Sequence, residues 1–255
     1  MSVSVFHLSS FSPERYVLLR ELTGHDEMLV TDNSTTCALQ LLDSLCVHQF
    51  PAKDQRTLKV DKITVADRDY LFAGVYMNTY GTQIESTVHC QACHHPYDVN
   101  FSLDDFVKHT RNKNNEFHPD ADGFVIDNNG NRFRLPTGED EMATLGLPAE
   151  NAAHVILERC LAQPIGNNSE KAIETMEAIA PVLATQLDTV CPECRQEQEI
   201  YFDIQSYLLA KLKNDHRRLI AEIHSIAMSY GWSHSEILSL TRGVRQMYAG
   251  LINGN

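Results

Sequence analysis

Seven cysteines carry most of the chemistry this 255-residue chain can offer: Cys37, Cys46, Cys90, Cys93, Cys160, Cys191 and Cys194. Four of them form two C-x-x-C pairs, Cys90-Gln-Ala-Cys93 and Cys191-Pro-Glu-Cys194. Two thiolates on one tight knuckle share a tetrahedral ion, and two knuckles complete a four-sulfur zinc site. The expected ligands are therefore Cys90, Cys93, Cys191 and Cys194, and the expected cofactor is a structural zinc ion. Four thiolates leave no open coordination position, which disfavours a catalytic zinc. His94 and His95 could stand in as ligands, but beside a knuckle they read as solvent-facing. An odd cysteine count argues against a disulfide framework. Cys37, Cys46 and Cys160 fall in apolar helical patterns and read as small core residues.

The knuckles stand 97 residues apart, which is long for one metal site, but a repeat links them. After Cys93, apolar residues fall at Val99, Phe101, Leu103 and Phe106. After Cys194 they fall at the same offsets, at Ile200, Phe202, Ile204 and Tyr207. Strand-like stretches precede both knuckles, at Ile84 to His89 and Leu187 to Val190. Each half thus reads as strand, knuckle, strand and helix start. A thioredoxin-like redox motif would instead place one C-x-x-C at a helix N-terminus within a βαβ unit. The segment between the knuckles, about 94–190, reads as an insertion.

Around this module the chain reads as α+β, mostly helical, with a C-terminal helical pair. Residues 1–34 read as an N-terminal arm, with extended character at Val3 to Leu8. Residues 35–204 read as helices plus the ribbon module, and 205–255 as the helical pair, all parts of one compact unit. A helix is expected at Thr35 to Val47. Another starts at the capping box Thr64-Val-Ala-Asp67 and stops at Gly81. Within the insertion, Ser102 caps a short helix, Arg111 to Asp122 reads as a surface loop, and Phe124 to Leu135 as a hairpin turning at Asn128-Asn-Gly130. Val125 cannot ligate calcium, so that turn is not a calcium loop. Thr137-Gly-Glu-Asp140 caps a further helix, and helices follow at about Asn151 to Leu161 and Ser169 to Thr185.

In the last segment, Leu219, Ile220, Ile223, Ala227 and Tyr230 stripe one helix. Ile237, Leu240, Val244, Tyr248 and Leu251 stripe the next. Gly231 suits a left-handed cap, Ser233-His-Ser-Glu236 is a capping box, and Trp232 with Ile237 forms a hydrophobic staple. Trp232, Arg242, Arg245 and Tyr248 are the candidate partner-binding residues, because aromatic and Arg side chains are frequent hot spots.

Charge and motif content restrict the function classes. Apolar residues make up 43% and charged residues 22%, and the net charge is −13, which disfavours bulk nucleic-acid binding. The segment from Gln205 onward carries +3 and the first 204 residues −16. No run reaches the roughly 20 apolar residues of a membrane helix, and the start lacks a secretory signal, so the expected location is the cytoplasm. No Walker loop, G-x-S-x-G or H-E-x-x-H is present, so no enzyme is expected.

Three blocks in order resemble the baseplate hub assembly proteins of T-even-type contractile phages and their relatives in bacterial contractile injection systems. They are Thr64 to Gly81 running into the first knuckle and Asp98 to Leu103; Arg132-Phe-Arg-Leu-Pro-Thr-Gly-Glu-Asp140; and the second knuckle with Glu222 to Leu238, where Tyr-Gly-Trp-Ser is most distinctive. The resemblance implies a non-enzymatic chaperone or minor structural component of the hub, with hub or spike proteins as partners and incorporation into the particle as one outcome. It does not prescribe zinc, which rests on the cysteines. Two further readings stay open: a cargo-loading factor of an injection particle, and a zinc-ribbon nucleic-acid-binding regulator.

Overall fold

The computed structural model describes residues 3–9, 11–12, 16–47, 59–111, 117–120, 122–163, 169–252 and 254. Parts of the expected arm, of the 111–122 loop and of the segment before Ser169 lie outside these residues. The architecture is α+β, with helices joined to four two-stranded antiparallel hairpins among the described residues. No described helix is long and apolar enough to cross a membrane.

The chain opens with a hairpin of β1 (Val3–His7) and β2 (Tyr16–Arg20), then short α1 (Gly24–Leu29) and α2 (Thr35–Leu45). A 3-10 turn at Val60–Lys62 leads into α3 (Val65–Tyr80). Half of the expected box forms there: the Asp67 N–H donates to Thr64 Oγ1 at 3.2 Å, but the Thr64 N–H donates to Ser12 Oγ at 3.2 Å instead of to Asp67. Gly81 closes the helix at φ 90°. A hairpin of β3 (Gln83–His89) and β4 (Pro96–Ser102) carries the first knuckle and runs into α4 (Leu103–Arg111).

The second half opens with the small hairpin β5 (Val125–Ile126) and β6 (Arg132–Phe133), then α5 (Gly138–Met142), α6 (Ala149–Cys160) and α7 (Ser169–Ile179). The hairpin of β7 (Ala184–Val190) and β8 (Glu197–Asp203) carries the second knuckle and runs into α8 (Ile204–Asn214). The chain ends with α9 (His216–Tyr230), α10 (His234–Leu238) and α11 (Arg242–Ile252).

Two helix boundaries differ from the sequence reading. The expected helix from Ser169 to Thr185 stops at Ile179, because Pro181 cannot continue it and residues from Ala184 pair with β8. The last expected helix is broken in two. Its backbone leaves the helix at Leu240 and Thr241 to bond α1: Gly24 N–H donates to the Leu240 carbonyl and Arg242 N–H to that of Leu22.

One large core joins β2, α2, α3 and α8, with Leu41, Leu42, Leu45, Leu71, Phe72, Leu208 and Leu209 fully buried. Val17, Leu19, Leu22 and Val30, from the segment read as an arm, are in that core. Cys37, Cys46 and Cys160 are buried, as expected. Leu219, Ile223, Ile226, Ile237 and Leu238 form a separate C-terminal cluster, against which Trp232 and Tyr248 pack.

Candidate functional site

The two knuckle hairpins are built alike, down to single hydrogen bonds. Shifting by 101 residues converts β3, β4 and the start of α4 into β7, β8 and the start of α8. Cys90 N–H donates to the His95 carbonyl at 3.0 Å and His94 N–H to the Cys90 carbonyl at 2.9 Å. In the second half, Cys191 N–H reaches Gln196 at 2.9 Å and Arg195 N–H reaches Cys191 at 3.0 Å. His94 and Arg195 hold φ of 60° and 62°, a left-handed geometry that costs a non-glycine residue about 1 kcal/mol. Two copies of that strain are tolerated because the turn aims the backbone N–H groups of each knuckle at its sulfurs.

The halves face one another. Phe101 and Phe202, equivalent positions, meet edge to face at 5.0 Å. Tyr97 Oη lies 2.7 Å from Thr189 Oγ1. Gln198 ties the hairpins twice, accepting from Gln91 N–H at 2.8 Å and donating to the His89 carbonyl at 3.2 Å. This frame brings the four predicted ligands together: all four Sγ atoms lie within 4.8 Å of one another. Cys90 and Cys191 are fully buried, whereas Cys93 and Cys194 are exposed.

The cross-hairpin pairs are Cys90–Cys194 at 3.5 Å and Cys93–Cys191 at 3.8 Å. A tetrahedron with Zn–S bonds of ~2.3 Å has edges of about 3.8 Å, so the donor set fits zinc. The distances are too long for disulfides, and all seven cysteines are free. The N–H groups of Cys93 and Ala92 pull the Cys90 thiol down to about 6, toward the thiolate a metal needs. His95 faces Glu193 at 3.8 Å, and neither His95 nor His94 belongs to the cluster.

The partner-binding candidates are placed differently from one another. Arg242 and Arg245 turn inward. Arg245 is 1% exposed, with Nη2 on Glu27 at 2.5 Å and Nε on Glu222 at 2.7 Å. Arg242 reaches Glu27 at 3.1 Å, bonds Asp215, and lies over the Tyr80 ring. Trp232 and Tyr248 are half-buried and pack edge to face at 4.9 Å, with Tyr230 completing the trio. Val244 and Leu251, expected to line the core, are exposed instead.

The arginines turn inward because of a second repeat. Arg20-Glu-Leu-Thr-Gly-His-Asp-Glu-Met28 and Arg134-Leu-Pro-Thr-Gly-Glu-Asp-Glu-Met142 share Arg, Thr, Gly, Asp, Glu and Met at matching places. In each, the Arg grips the Asp with two bonds: Arg20 on Asp26 at 2.6 and 2.7 Å, Arg134 on Asp140 at 2.6 and 2.8 Å. That Asp also accepts the backbone N–H of its Thr, capping the short helix. Burial pushes the Asp140 carboxyl up, but bonds from Arg134, Thr137 N–H and Arg159 outweigh it and hold it below the usual carboxylate range.

Each motif receives a helix that begins Thr-x-x-x-Arg. Thr23 bridges Thr241 and Glu27 pairs with Arg245; Thr137 bridges Thr64 and Glu141 pairs with Arg68 through two bonds. Thus α11 docks on α1 as α3 docks on α5. The stretch between the knuckles, read as an insertion, holds the second of these docking motifs. The repeated nonapeptide was the sequence signal that could have revealed this.

Over residues 15–168 the chain matches the model of a family described as T4 bacteriophage base plate protein. The chain belongs to that family. No curated protein and no solved structure matches it. Membership in this base plate family implies other baseplate and tail proteins as partners. The match includes β2 to α6, and so both docking motifs and the first knuckle. It ends before the second knuckle, so the full cysteine set extends beyond the matched base plate segment.

Proposed function

We propose that this protein is a non-enzymatic assembly factor, or a minor structural component, of the baseplate hub of a contractile phage tail or contractile injection system. The family match over residues 15–168 carries the reading. Its partners are then hub or spike proteins, and its place of work is the cytoplasm of the producing bacterium, where tails are built. The architecture supports a scaffold role, because its most elaborate polar features, the two Thr-Gly-x-Asp-Glu motifs, are spent on holding helices. The DNA-reading alternative loses its main support, since Arg242 and Arg245 are committed to internal carboxylates.

Zinc held by Cys90, Cys93, Cys191 and Cys194 is part of the proposal. When bound, it contributes folding free energy, because the site does not exist in the unfolded chain. The protein supplies four converging sulfurs, backbone N–H groups that favour thiolates, and two hairpins locked together by Gln198 and Tyr97. The ion would staple the two halves at the end opposite the large core.

Quantitative mass spectrometry of purified tails against lysate tests the role. Stoichiometric presence in tails makes the protein a structural component. Presence in lysate, bound to hub proteins but absent from tails, makes it an assembly factor. Absence from tails and from every complex with tail proteins would overturn the reading.

A further inference from the structure

The helix α11 is built inside out. Its only charged residues, Arg242 and Arg245, are buried. Its outer arc holds Val244, Met247 and Leu251, which are 39%, 66% and 66% exposed. At 100° per residue these three lie on one side of the helix, next to Tyr248. Tyr248 joins the arc to Trp232 and Tyr230, giving one continuous uncharged surface of aliphatic and aromatic side chains.

The counterpart helix shows that such a face is meant to be covered. Aligning Thr64 and Arg68 with Thr241 and Arg245 makes Asp67, Tyr70 and Gly74 the equivalents of Val244, Met247 and Leu251. On α3 that face is closed by the N-terminal segment. Phe6 lies so close that a Cβ on Gly74 would sit 2.0 Å from its ring, and Ser9 and Ser12 bond Asp67 at 2.6 and 2.7 Å. Nothing among the described residues plays that part for α11.

We propose that the outer face of α11 pairs with the same face of a second copy, antiparallel about a two-fold axis near Met247. Val244 of each copy then meets Leu251 of the other, as a self-complementary interface requires. Charge permits this occupant: the arc holds no charge, and the segment from Gln205 onward carries +3 against −16 for the first 204 residues, so two copies meet here with less repulsion than over the acidic body. A membrane surface is disfavoured, because an interfacial helix carries Lys or Arg on its polar face and here both arginines are inside. The exposed parts of Val244, Met247, Leu251 and Tyr230, with the edges of Trp232 and Tyr248, present roughly 500–600 Å² per copy. Two copies would bury about 1,000–1,200 Å², the lower edge of specific interfaces, so the dimer should be reversible. This inference is independent of the baseplate assignment.

Sedimentation equilibrium of the full chain over about 1–300 μM at low and high salt tests it. The expected result is a monomer–dimer equilibrium with a Kd of tens of micromolar. It should tighten with salt, because screening removes the repulsion between the acidic bodies. Met247→Glu and Leu251→Glu should each weaken it at least tenfold while leaving the thermal midpoint and far-ultraviolet dichroism unchanged. Tyr201→Glu, an exposed position on β8, should leave it intact. A wild-type chain that stays monomeric throughout would overturn the proposal and leave the face to a different protein. A dimer indifferent to both α11 substitutions would overturn it equally.

Discussion

Glu27 and Arg245 meet at 2.5 Å across 218 residues of chain, both essentially removed from solvent. Glu222 and Arg242 complete the cluster, so two guanidinium groups share three carboxylates with Asp215. The C-terminal helices have their own apolar cluster, and this charged cluster is a principal tie between them and α1. Removing Arg245 leaves Glu27 with Arg242 alone and Glu222 with Arg218 alone, so buried carboxylates lose much of their compensation, at a cost of about 3–5 kcal/mol. Arg245→Ala should therefore lower stability by that amount and loosen α9–α11 first, read as faster amide exchange there. Arg68→Ala, whose partner Glu141 keeps 23% of its side chain exposed, should cost less. Equal losses at both sites would show that burial does not set the difference.

What the sequence disclosed and what it hid divide along the range of the interaction. The knuckles, the 101-residue repeat, the N-cap at Thr64 and the boxes at Thr137 and Ser233 rest on neighbours a few positions apart and have the expected geometry, whereas the return bond of a box at Thr64 is lost to Ser12, 52 positions away. The helix run through Pro181 failed because an apolar pattern was followed past a residue that ends helices. The inward arginines could not be read from periodicity, which assigns Arg to the wet face. Glu27, Glu222 and Asp215, none of them within 20 positions of these arginines, reverse that assignment. The same holds for Val244 and Leu251, displaced outward because arginines occupy the buried side of α11.

Stripping the metal should unfold the ribbon end. With a strong chelator under reducing conditions, the thermal midpoint should fall by ten degrees or more, on the order of several kcal/mol. Cys90→Ser and Cys191→Ser should do the same, since each removes a fully buried ligand. A metal assay should return one zinc per chain. A chelated chain that contains no metal and keeps its original midpoint would exclude structural zinc.

Gly24 and Gly138 occupy the same place in the two docking motifs, yet alanine should not cost the same at both. A Cβ on Gly24 would lie 2.7 Å from a Leu238 side-chain carbon and 3.0 Å from its Cα. On Gly138 the nearest atoms are the methyl ends of Leu39, at 2.9 and 3.1 Å. A side-chain end can swing aside, whereas backbone must move with its helix. Gly24→Ala should cost about 1–3 kcal/mol and Gly138→Ala less than about 1 kcal/mol, measured by denaturant unfolding. The reverse order would mean that α10 gives way more easily than Leu39.

Asp69 supplies a pH dependence of defined sign. Its carboxylate accepts the Leu183 N–H at 3.0 Å and is buried. Desolvation pushes its pKa up to about 7, only partly offset by Arg68 and aggravated by Asp203. A carboxyl with a folded pKa above its unfolded value near 3.9 binds its proton more tightly in the folded state. Its contribution is therefore full below about pH 4 and is lost as pH rises through about 7, a span on the order of 2–4 kcal/mol. Asp69→Asn keeps an oxygen for the Leu183 N–H and removes the charge. The variant should match the wild type at pH 4 and exceed it increasingly toward pH 8. Comparing the two at each pH cancels the metal's own acid sensitivity, because both carry the same cysteines. A stability difference that stays constant from pH 5 to 8 would mean that Asp69 keeps its charge throughout, held by Arg68.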